Sequence, residues 1–391
     1  MNETIKKEVE KITPDLITWR RDFHQYPEIA FQEFRTSKVI RDFLEGLGLE
    51  VRKMAITGLR AVLTGKSSGP TVALRADMDA LPLQEKGKKE YISQNPGATH
   101  ACGHDGHMAI LMGVAQILVN RKNDLPGNVV FLFQPSEELP PGGAQPMVED
   151  GALDGVDAIF GLHLWQPLRT GAIGIVPGPM MAQSDNFSLT VKGKAGHGSM
   201  PHTAVDPIYA ASQLVVNLQS IVSRNNDPLK PLVVSFGTIQ GGTIYNIIPE
   251  SVDLKGTVRT FQPDVQVMAK RRIKEISEKT CEAMGAEAEF VYEEGYPPLI
   301  NPLDMVDFVK DVAKDILGED RIVPFSPVMG GEDFAYYLQK IPGAFFFLGM
   351  GDGQEAPHHH PEFDIDEKAL PLGTHLLSEI ALEYLKMSRQ K

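Results

Sequence analysis

Apolar side chains in the first fifty residues recur at intervals of three or four positions, a spacing typical of helices that bury one face. Ile5, Val9 and Ile12 follow this spacing near the start, and Phe43 and Leu44 belong to a second stretch of the same kind. We therefore expect the chain to begin with helices.

The pattern then changes to short, continuous apolar runs that end in polar residues. These runs occupy residues 71–79, 128–136 and 156–165, and an apolar stretch at 106–120 separates the first two. Such runs are typical of strands buried on both faces of a mostly parallel sheet, and 106–120 is expected to be a helix. The alternation of strand and helix predicts an α/β domain.

The middle of the chain follows a different order, β-α-β-β-α-β, which is the ferredoxin-like arrangement. Asp206 is placed to cap the first of its helices, with Pro207 in the first turn, and Gly285 is placed to end the second. The predicted strands are 186–193, 232–240, 251–261 and 286–294, and the predicted helices are 205–224 and 263–285.

The α/β pattern resumes after residue 298, with a helix near 302–317, a strand at 344–350 and a closing helix near 367–387. We therefore predict an α/β domain formed by 1–184 and 298–391. A ferredoxin-like α+β domain, 185–297, is inserted into it.

Composition narrows the class of protein. The chain has 391 residues, a net charge of −13 and 2 cysteines. The negative charge disfavours nucleic acid or an anionic membrane as a partner, and no apolar run approaches the ~20 residues of a membrane span. Two distant cysteines fit a reducing compartment, and the charged N-terminus does not look like a signal peptide, so we expect a cytoplasmic protein that acts on small molecules.

Residues 100–107 read HACGHDGH, in which five of eight side chains can ligate a metal or move a proton. Glycines at 103 and 106 would each cost a helix about 1 kcal/mol, so we expect a loop in which Cys102 and His104 converge. Asp105 is then expected to cap a helix that starts near Gly106. A plain turn with a buried cysteine is the alternative.

Further candidate ligands follow other predicted strands. Glu137 and Glu138 come at the end of one strand, His163 lies inside another, and a histidine triplet occupies 358–360. Taken singly, the glutamate pair also fits a solvated acidic loop, His163 fits a histidine of the core, and the triplet fits a surface tract. Together with the Cys-His motif they supply enough ligands for two ions such as zinc. A carboxylate beside metal-bound water is what metal-assisted amide hydrolysis needs.

Eight motifs occur in a recognisable order: RADMDALPL (75–83), HACGHDGH (100–107), FQPSEE (133–138), GLHLW (161–165), GHGSMPH (196–202), NIIPE (246–250), GGEDF (330–334) and HHPEFDIDE (359–367). With them the chain resembles, over essentially its whole length, the amidohydrolase branch of the aminoacylase/carboxypeptidase superfamily of co-catalytic metallopeptidases. That branch includes N-acyl-amino-acid amidohydrolases, hippurate hydrolases, auxin-conjugate hydrolases and thermostable carboxypeptidases. The resemblance implies metal-dependent hydrolysis of the amide bond of N-acyl-L-amino acids.

The resemblance also implies individual roles. Cys102 matches a ligand that bridges two divalent metal ions, and His104, Glu138, His163 and His359 match the other ligands. These five residues would lie in the α/β domain, which becomes the metal-binding catalytic domain.

The same resemblance assigns the base and a supporting residue. Glu137 matches the general acid/base, and Asp79 holds a position that can orient a ligand or the nearby loop. In the C-terminal motif the ligand histidine lies two residues before a proline, so Pro361 selects His359, with His358 or His360 as the alternative.

The inserted domain is implied to be a lid that dimerises. His197 matches a histidine that stabilises the oxyanion, often in the partner's active site, while Asn246 and Arg259 are candidates to hold the substrate carboxylate. A homodimer or tetramer is therefore expected. The alternatives without a function are that His197 is an ordinary loop histidine and that Arg259 is a surface arginine of a strand.

The motifs leave two questions open. A metallocarboxypeptidase, a dipeptidase or an N-acetyl-diaminopimelate-type deacetylase would need the same ligands. The ions could be zinc, manganese, cobalt or nickel.

Overall fold

The computed structural model describes residues 2–353 and 355–387, and within them the chain forms two compact units. The first unit comprises residues 1–180, 300–326 and 333–391, and the second comprises 181–299 and 327–332. The roles predicted for the two domains, catalysis and dimerisation, stay predictions. No helix of the described residues is both long enough and apolar enough to cross a membrane.

Helices and strands are numbered in chain order. The α-helices of the described residues are α1 (Asn2–Gln25), α2 (Phe34–Gly46), α3 (His104–Asn120), α4 (Ala144–Glu149), α5 (Pro207–Leu218), α6 (Pro263–Ala283), α7 (Leu303–Leu317), α8 (Ala335–Leu338) and α9 (Ala369–Met387). The strands are β1 (Glu50–Met54), β2 (Gly58–Leu63), β3 (Thr71–Asp77), β4 (Asn128–Gln134), β5 (Ala158–Arg169), β6 (Ile173–Gly174), β7 (Gly178–Met181), β8 (Gln183–Lys192), β9 (Gly196–His197), β10 (Leu232–Gly241), β11 (Ile247–Ile248), β12 (Ser251–Thr260), β13 (Glu287–Tyr296), β14 (Leu299–Asn301), β15 (Ile322–Val323) and β16 (Gly343–Gly351).

The first unit is built on an eight-stranded sheet in the order β1-β2-β4-β3-β5-β16-β6-β15. Its central strands β4, β3, β5 and β16 are parallel to one another, and β1–β2, β2–β4 and β16–β6 are antiparallel pairs. Every residue of β3 and β16 is buried, as parallel strands covered on both faces require. The helices α3 and α9 contact β3, and α7 contacts β16. The prediction of a mostly parallel α/β sheet is confirmed.

The second unit contains a four-stranded antiparallel sheet in the order β10-β12-β8-β13, with α5 and α6 packed against it. Its chain order is the β-α-β-β-α-β order expected of a ferredoxin-like fold. The carboxylate of Asp206 accepts hydrogen bonds from the N–H groups of Ile208 and Tyr209 and so caps α5. Gly285, with φ of +73°, follows the end of α6.

Strand register brings the candidate residues to one level of the first sheet. Asp77 is paired with Gln134, and Arg75 is paired with Gly161, two residues before His163. The segments after β3 and β4 leave the sheet at the same edge because these strands are parallel. This edge is where α/β folds place their binding sites.

Candidate metal centre

Cys102 and His104 lie at the junction between a loop and α3. Gly103 adopts φ of +94° as the residue before the helix, and His104 is the first helical residue. The left-handed conformation of Gly103, which glycine adopts without steric cost, lets the chain turn between the two side chains. Both are buried, and their ligand atoms lie together with that of His163 within 4.8 Å of one another.

The prediction that Asp105 caps a helix starting near Gly106 is wrong. Asp105 is already inside the first turn of α3, which begins at His104. Oδ2 of its carboxylate faces α1, because Arg20 Nε and His24 Nδ1 lie 2.8 and 2.7 Å from it, while Oδ1 accepts the N–H of Gly106 at 2.9 Å. The helix therefore starts at His104, two residues before the predicted position, and Asp105 links its first turn to α1.

Two histidines are oriented by backbone carbonyl groups. Nδ1 of His104 donates to the carbonyl oxygen of Asp79 at 2.8 Å, and Nδ1 of His163 donates to that of Leu164 at 2.7 Å. Nδ1 of each ring is thereby committed to the protein, so Nε2 is the atom that a metal ion would bind. Nε2 of His163 lies 3.4 Å from Sγ of Cys102.

Glu138 and His359 complete the cluster from two other segments. Oε1 of Glu138 lies 3.2 Å from Nε2 of His359 and 3.9 Å from Nε2 of His104. The ligand atoms of Cys102, Glu138 and His359 lie within 4.8 Å of one another. The structure thus brings together all five predicted ligands, in two groups that share Cys102.

The neighbours of His359 face other partners. Nε2 of His358 accepts the backbone N–H of Gln166 at 3.1 Å, and His360 is exposed, with Nδ1 accepting from the N–H of Glu362.

The donor set fits a pair of metal ions. Among the described residues, the buried atoms His104 Nε2 and Glu138 Oε1 have no partner in hydrogen-bond geometry, although Nε2 of His359 lies 3.2 Å from the latter. A buried polar atom left without a partner costs about 1–3 kcal/mol, and a cation would satisfy both atoms. Thiolate, imidazole and carboxylate ligands together are those of zinc and similar transition metals.

The charges around the cluster favour a cation. Burial lowers the pKa of His104, but the carboxylates of Asp77, Asp79 and Glu138 more than offset it and raise the pKa to about 10. Burial, together with the charges of Glu138 and Glu137, raises the pKa of the Cys102 thiol. A bound divalent cation reverses this second effect, because it stabilises the thiolate.

Asp79 holds the loop that carries both glutamates. Its Oδ1 and Oδ2 accept the backbone N–H groups of Glu137 and Glu138, each at 2.9 Å. The ligand atoms of His104, Glu137 and Glu138 lie within 4.8 Å of one another, so the candidate base stands directly beside the candidate ligands.

Four buried polar residues that sequence reasoning did not select surround the site. Nδ1 of His107 lies 2.6 Å from Asp77, and its Nε2 accepts from the N–H of Leu164, so both ring nitrogens of His107 already have protein partners. Arg75 donates to Asp77 at 2.6 Å and to Asp333 at 2.9 Å. Asp77 lies two positions before Asp79 in the RADMD motif. This spacing places both aspartates on the same side of an extended segment and was the sequence feature that could have indicated Asp77.

The remaining histidine of HACGHDGH takes no part in the metal groups found among the described residues. His100 is buried, and burial lowers its pKa to about 3, so it is neutral.

The other predicted residues lie in the second unit. His197 on β9 is paired with Ile247 on β11, and the carbonyl of Asn246 accepts the N–H of Gly198 at 2.8 Å, so His197 and Asn246 are neighbours. Arg259 lies on β12 opposite Ser184 and is half-buried. Burial lowers its pKa, and the charge of Asp185 opposes this effect.

The α/β fold and a buried Cys-His-Glu cluster at its sheet edge define a metal-dependent hydrolase. The chain belongs to the peptidase family M20/M25/M40, whose model matches residues 73–383.

Three similar proteins represent its relatives. An N-acyl-L-amino acid amidohydrolase from Geobacillus stearothermophilus is 47% identical over 76% of this chain and 81% of its own length. Thermostable carboxypeptidase 1 from Saccharolobus solfataricus is 39% identical over 98% of each chain. A solved structure from Bacillus subtilis, described as a dinuclear metal-binding peptidase of the M20 family, is 37% identical with a TM-score of 0.83, covering 96% of this chain and 99% of that one. Family membership and the ligand groups together support two divalent metal ions per chain.

Proposed function

We propose that this protein hydrolyses the amide bond of N-acyl-L-amino acids, with Cys102, His104, Glu138, His163 and His359 holding two divalent metal ions. The observation that carries the proposal is the position of Glu137. Its ligand atom lies within 4.8 Å of those of His104 and Glu138, yet it is not needed to complete either group around Cys102. A protein that only stored metal would have no use for a further carboxylate at this position.

The metal pair would lower the pKa of a water molecule and polarise the substrate carbonyl. Glu137 takes a proton from the attacking water and returns it to the leaving amine. Glu137 is buried, and the hydrogen bond from its N–H to Asp79 holds the backbone that carries its carboxylate. The backbone of Asp79 also sets the tautomer of His104.

His197, Asn246 and Arg259 of the second unit would bind substrate. His197 would donate a hydrogen bond to the carbonyl oxygen as it gains charge. Among the described residues the guanidinium of Arg259 has no hydrogen-bond or ion-pair partner. A half-buried, unpaired guanidinium suits a bidentate contact with a free carboxylate.

We further propose a homodimer or tetramer that forms through the second unit. Val216 on α5, Ile239 on β10 and Tyr245 before β11 expose 64%, 54% and 97% of their surface. The strand β10 is also an edge strand of its sheet, and edge strands offer unpaired backbone groups to another chain. A monomeric mass by light scattering at full activity contradicts both the dimer and a role for His197 in the partner's site.

The competing activity is that of a carboxypeptidase or dipeptidase, supported by the similarity to a thermostable carboxypeptidase. An N-acetyl-diaminopimelate-type deacetylase needs the same centre. We propose zinc, manganese, cobalt or nickel as the metal. We also propose a cytoplasmic location, which both free cysteines favour.

Elemental analysis combined with amine release tests the proposal. N-acetyl-L-methionine and hippurate are assayed before chelation, after it, and after addition of Zn²⁺, Mn²⁺, Co²⁺ or Ni²⁺. We expect near two ions per chain, and activity that disappears with chelation and returns with metal. Tight metal binding without amine release, combined with cleavage of N-blocked dipeptides, establishes the peptidase instead.

A further inference from the structure

We propose that Glu33, a buried carboxylate just before α2, is a positioning residue for the loop that carries the general base and a metal ligand. This inference rests on the function proposed above. Glu33 belongs to none of the metal-ligand groups of the described residues, and its side chain is fully buried.

The loop after β4 is held through three consecutive N–H groups. Asp79 accepts those of Glu137 and Glu138, as described above. The first of the three, the N–H of Ser136, donates to Oε1 of Glu33 at 3.0 Å. Two carboxylates from separate segments thus bind one continuous stretch of backbone.

Ser136 is the residue whose conformation needs this support. Its φ is +51°, in the left-handed region that side chains other than glycine rarely adopt. Ser136 is buried, so removal of Glu33 would leave a buried N–H without its acceptor. Without an acceptor the residue would relax toward negative φ, and the direction of the chain entering Glu137 would change.

Glu33 is itself fixed by other partners. Oε1 also accepts the N–H of Phe31 at 3.0 Å, and Oε2 accepts the hydroxyl of Thr57 at 2.6 Å. Phe31 has φ of +57° as well. Segments before α2, before β2 and after β4 therefore meet at one carboxylate.

A glutamine should replace Glu33 without loss. Its carbonyl oxygen can accept both N–H groups, and its NH₂ group can donate to the oxygen of Thr57. Burial raises the pKa of Glu33 to about 7, with the charge on Asp79 acting in the same direction, so a neutral group is tolerated at this position.

The test compares E33A, E33Q and the matched control E28A. Glu28 lies in the same segment and its carboxylate accepts the N–H groups of Arg35 and Thr36 at the start of α2, and among the described residues it makes no hydrogen bond to the 136–138 loop. Three quantities are measured: kcat and KM for N-acetyl-L-methionine at saturating Co²⁺, and the Co²⁺ dissociation constant. The Co²⁺–thiolate absorption of Cys102 reports binding independently of turnover.

For E33A we expect kcat to fall about 100-fold with KM within threefold, since misplacement of a catalytic group by about 1 Å has this effect. The Co²⁺ dissociation constant should rise at least about 10-fold because Glu138 moves with the loop. E33Q and E28A should stay within about threefold of the wild type in all three quantities.

The proposal fails if folded E33A keeps kcat and Co²⁺ affinity, if E33Q is as impaired as E33A, or if E28A loses as much. Should E33A not fold by circular dichroism, E33D decides, because it keeps the charge and shortens the reach to Ser136; wild-type behaviour of E33D overturns the proposal. If the wild-type protein releases no amine, the proposed function is wrong, and the Co²⁺ constants still decide the role of Glu33.

Discussion

Oε1 of Glu138 lies 3.2 Å from Nε2 of His359, although one residue follows β4 and the other follows β16. His359 has φ of +63°, which turns its side chain away from those of its two histidine neighbours. The N–H of His359 is also fixed, because it donates to the carbonyl of Ala101 beside Cys102 at 2.8 Å. Backbone contacts therefore select one histidine of the triplet for the cluster.

H359N should lower metal affinity at least about 100-fold, because loss of a ligand has a larger effect than loss of an orienting partner, which costs 10–100-fold. Isothermal titration with Zn²⁺ or Co²⁺ measures this change. The matched control is H360N, which alters an exposed side chain and should leave affinity unchanged. Equal losses in both variants would show that the triplet acts as a unit and that the selection of His359 is wrong.

E137Q should keep both metal ions and lose activity by roughly 10²–10⁴-fold, the contribution of a general base. Glutamine retains the size of the side chain and the backbone bond to Asp79, but it cannot accept a proton. Metal content and kcat are measured on the same preparation. E149Q, at the exposed end of α4, is the control, and near wild-type turnover in E137Q removes Glu137 from the mechanism.

Local pattern was sufficient to predict the main strands and helices, and the motifs indicated the candidate ligand side chains that the structure brings together. Buried apolar runs gave β3, β4 and β5, and the family motifs gave Cys102 and Glu138. Helix boundaries were less accurate: α3 begins at His104, since Gly103 can adopt a left-handed conformation that the sequence does not display.

The polar residues that support the site could not be predicted, because their partners are distant in the chain. Arg20 reaches Asp105, and Arg75 reaches Asp333, only after the helices and strands have packed. The same is true of Glu33, which appears in sequence as an ordinary acidic residue before a helix. Local pattern contains no information about such pairs.

R259M should raise KM for N-acetyl-L-methionine about 100-fold and change kcat little, because loss of a bidentate contact to a carboxylate costs about 3 kcal/mol in the ground state and in the transition state alike. The control variant is R271M, on the exposed face of α6. N-acetyl-L-methioninamide, which lacks the carboxylate, should be hydrolysed equally by R259M and the wild type. A raised KM for the amide too would assign Arg259 a structural role.

The buried Glu85 makes stability depend on pH in a predictable direction. Its carboxylate lies 2.9 Å from Nε2 of His24, 3.1 Å from Nζ of Lys89, and accepts the N–H of Ser93 at 2.7 Å. Burial raises the pKa of Glu85, but the hydrogen bond and charge of His24, with the help of Ser93 and Lys89, more than offset it and lower the pKa.

A carboxyl group whose pKa is lowered by folding binds fewer protons in the folded state than in the unfolded state. Its stabilising contribution is therefore complete above the unfolded value of about 4.3 and is lost as the pH falls through the folded value.

E85Q should lower the free energy of unfolding by about 1–3 kcal/mol at neutral pH, because buried partners of the carboxylate lose their charged acceptor. The difference from the wild type should shrink steadily as the pH is lowered from about 6 to about 3. Urea unfolding of the metal-free proteins measures it, with E90Q, an exposed residue of the same loop, as the control. A difference that stays constant across this range, or grows toward acid, contradicts the assignment, because the folded carboxyl group would then not be the one that resists protonation.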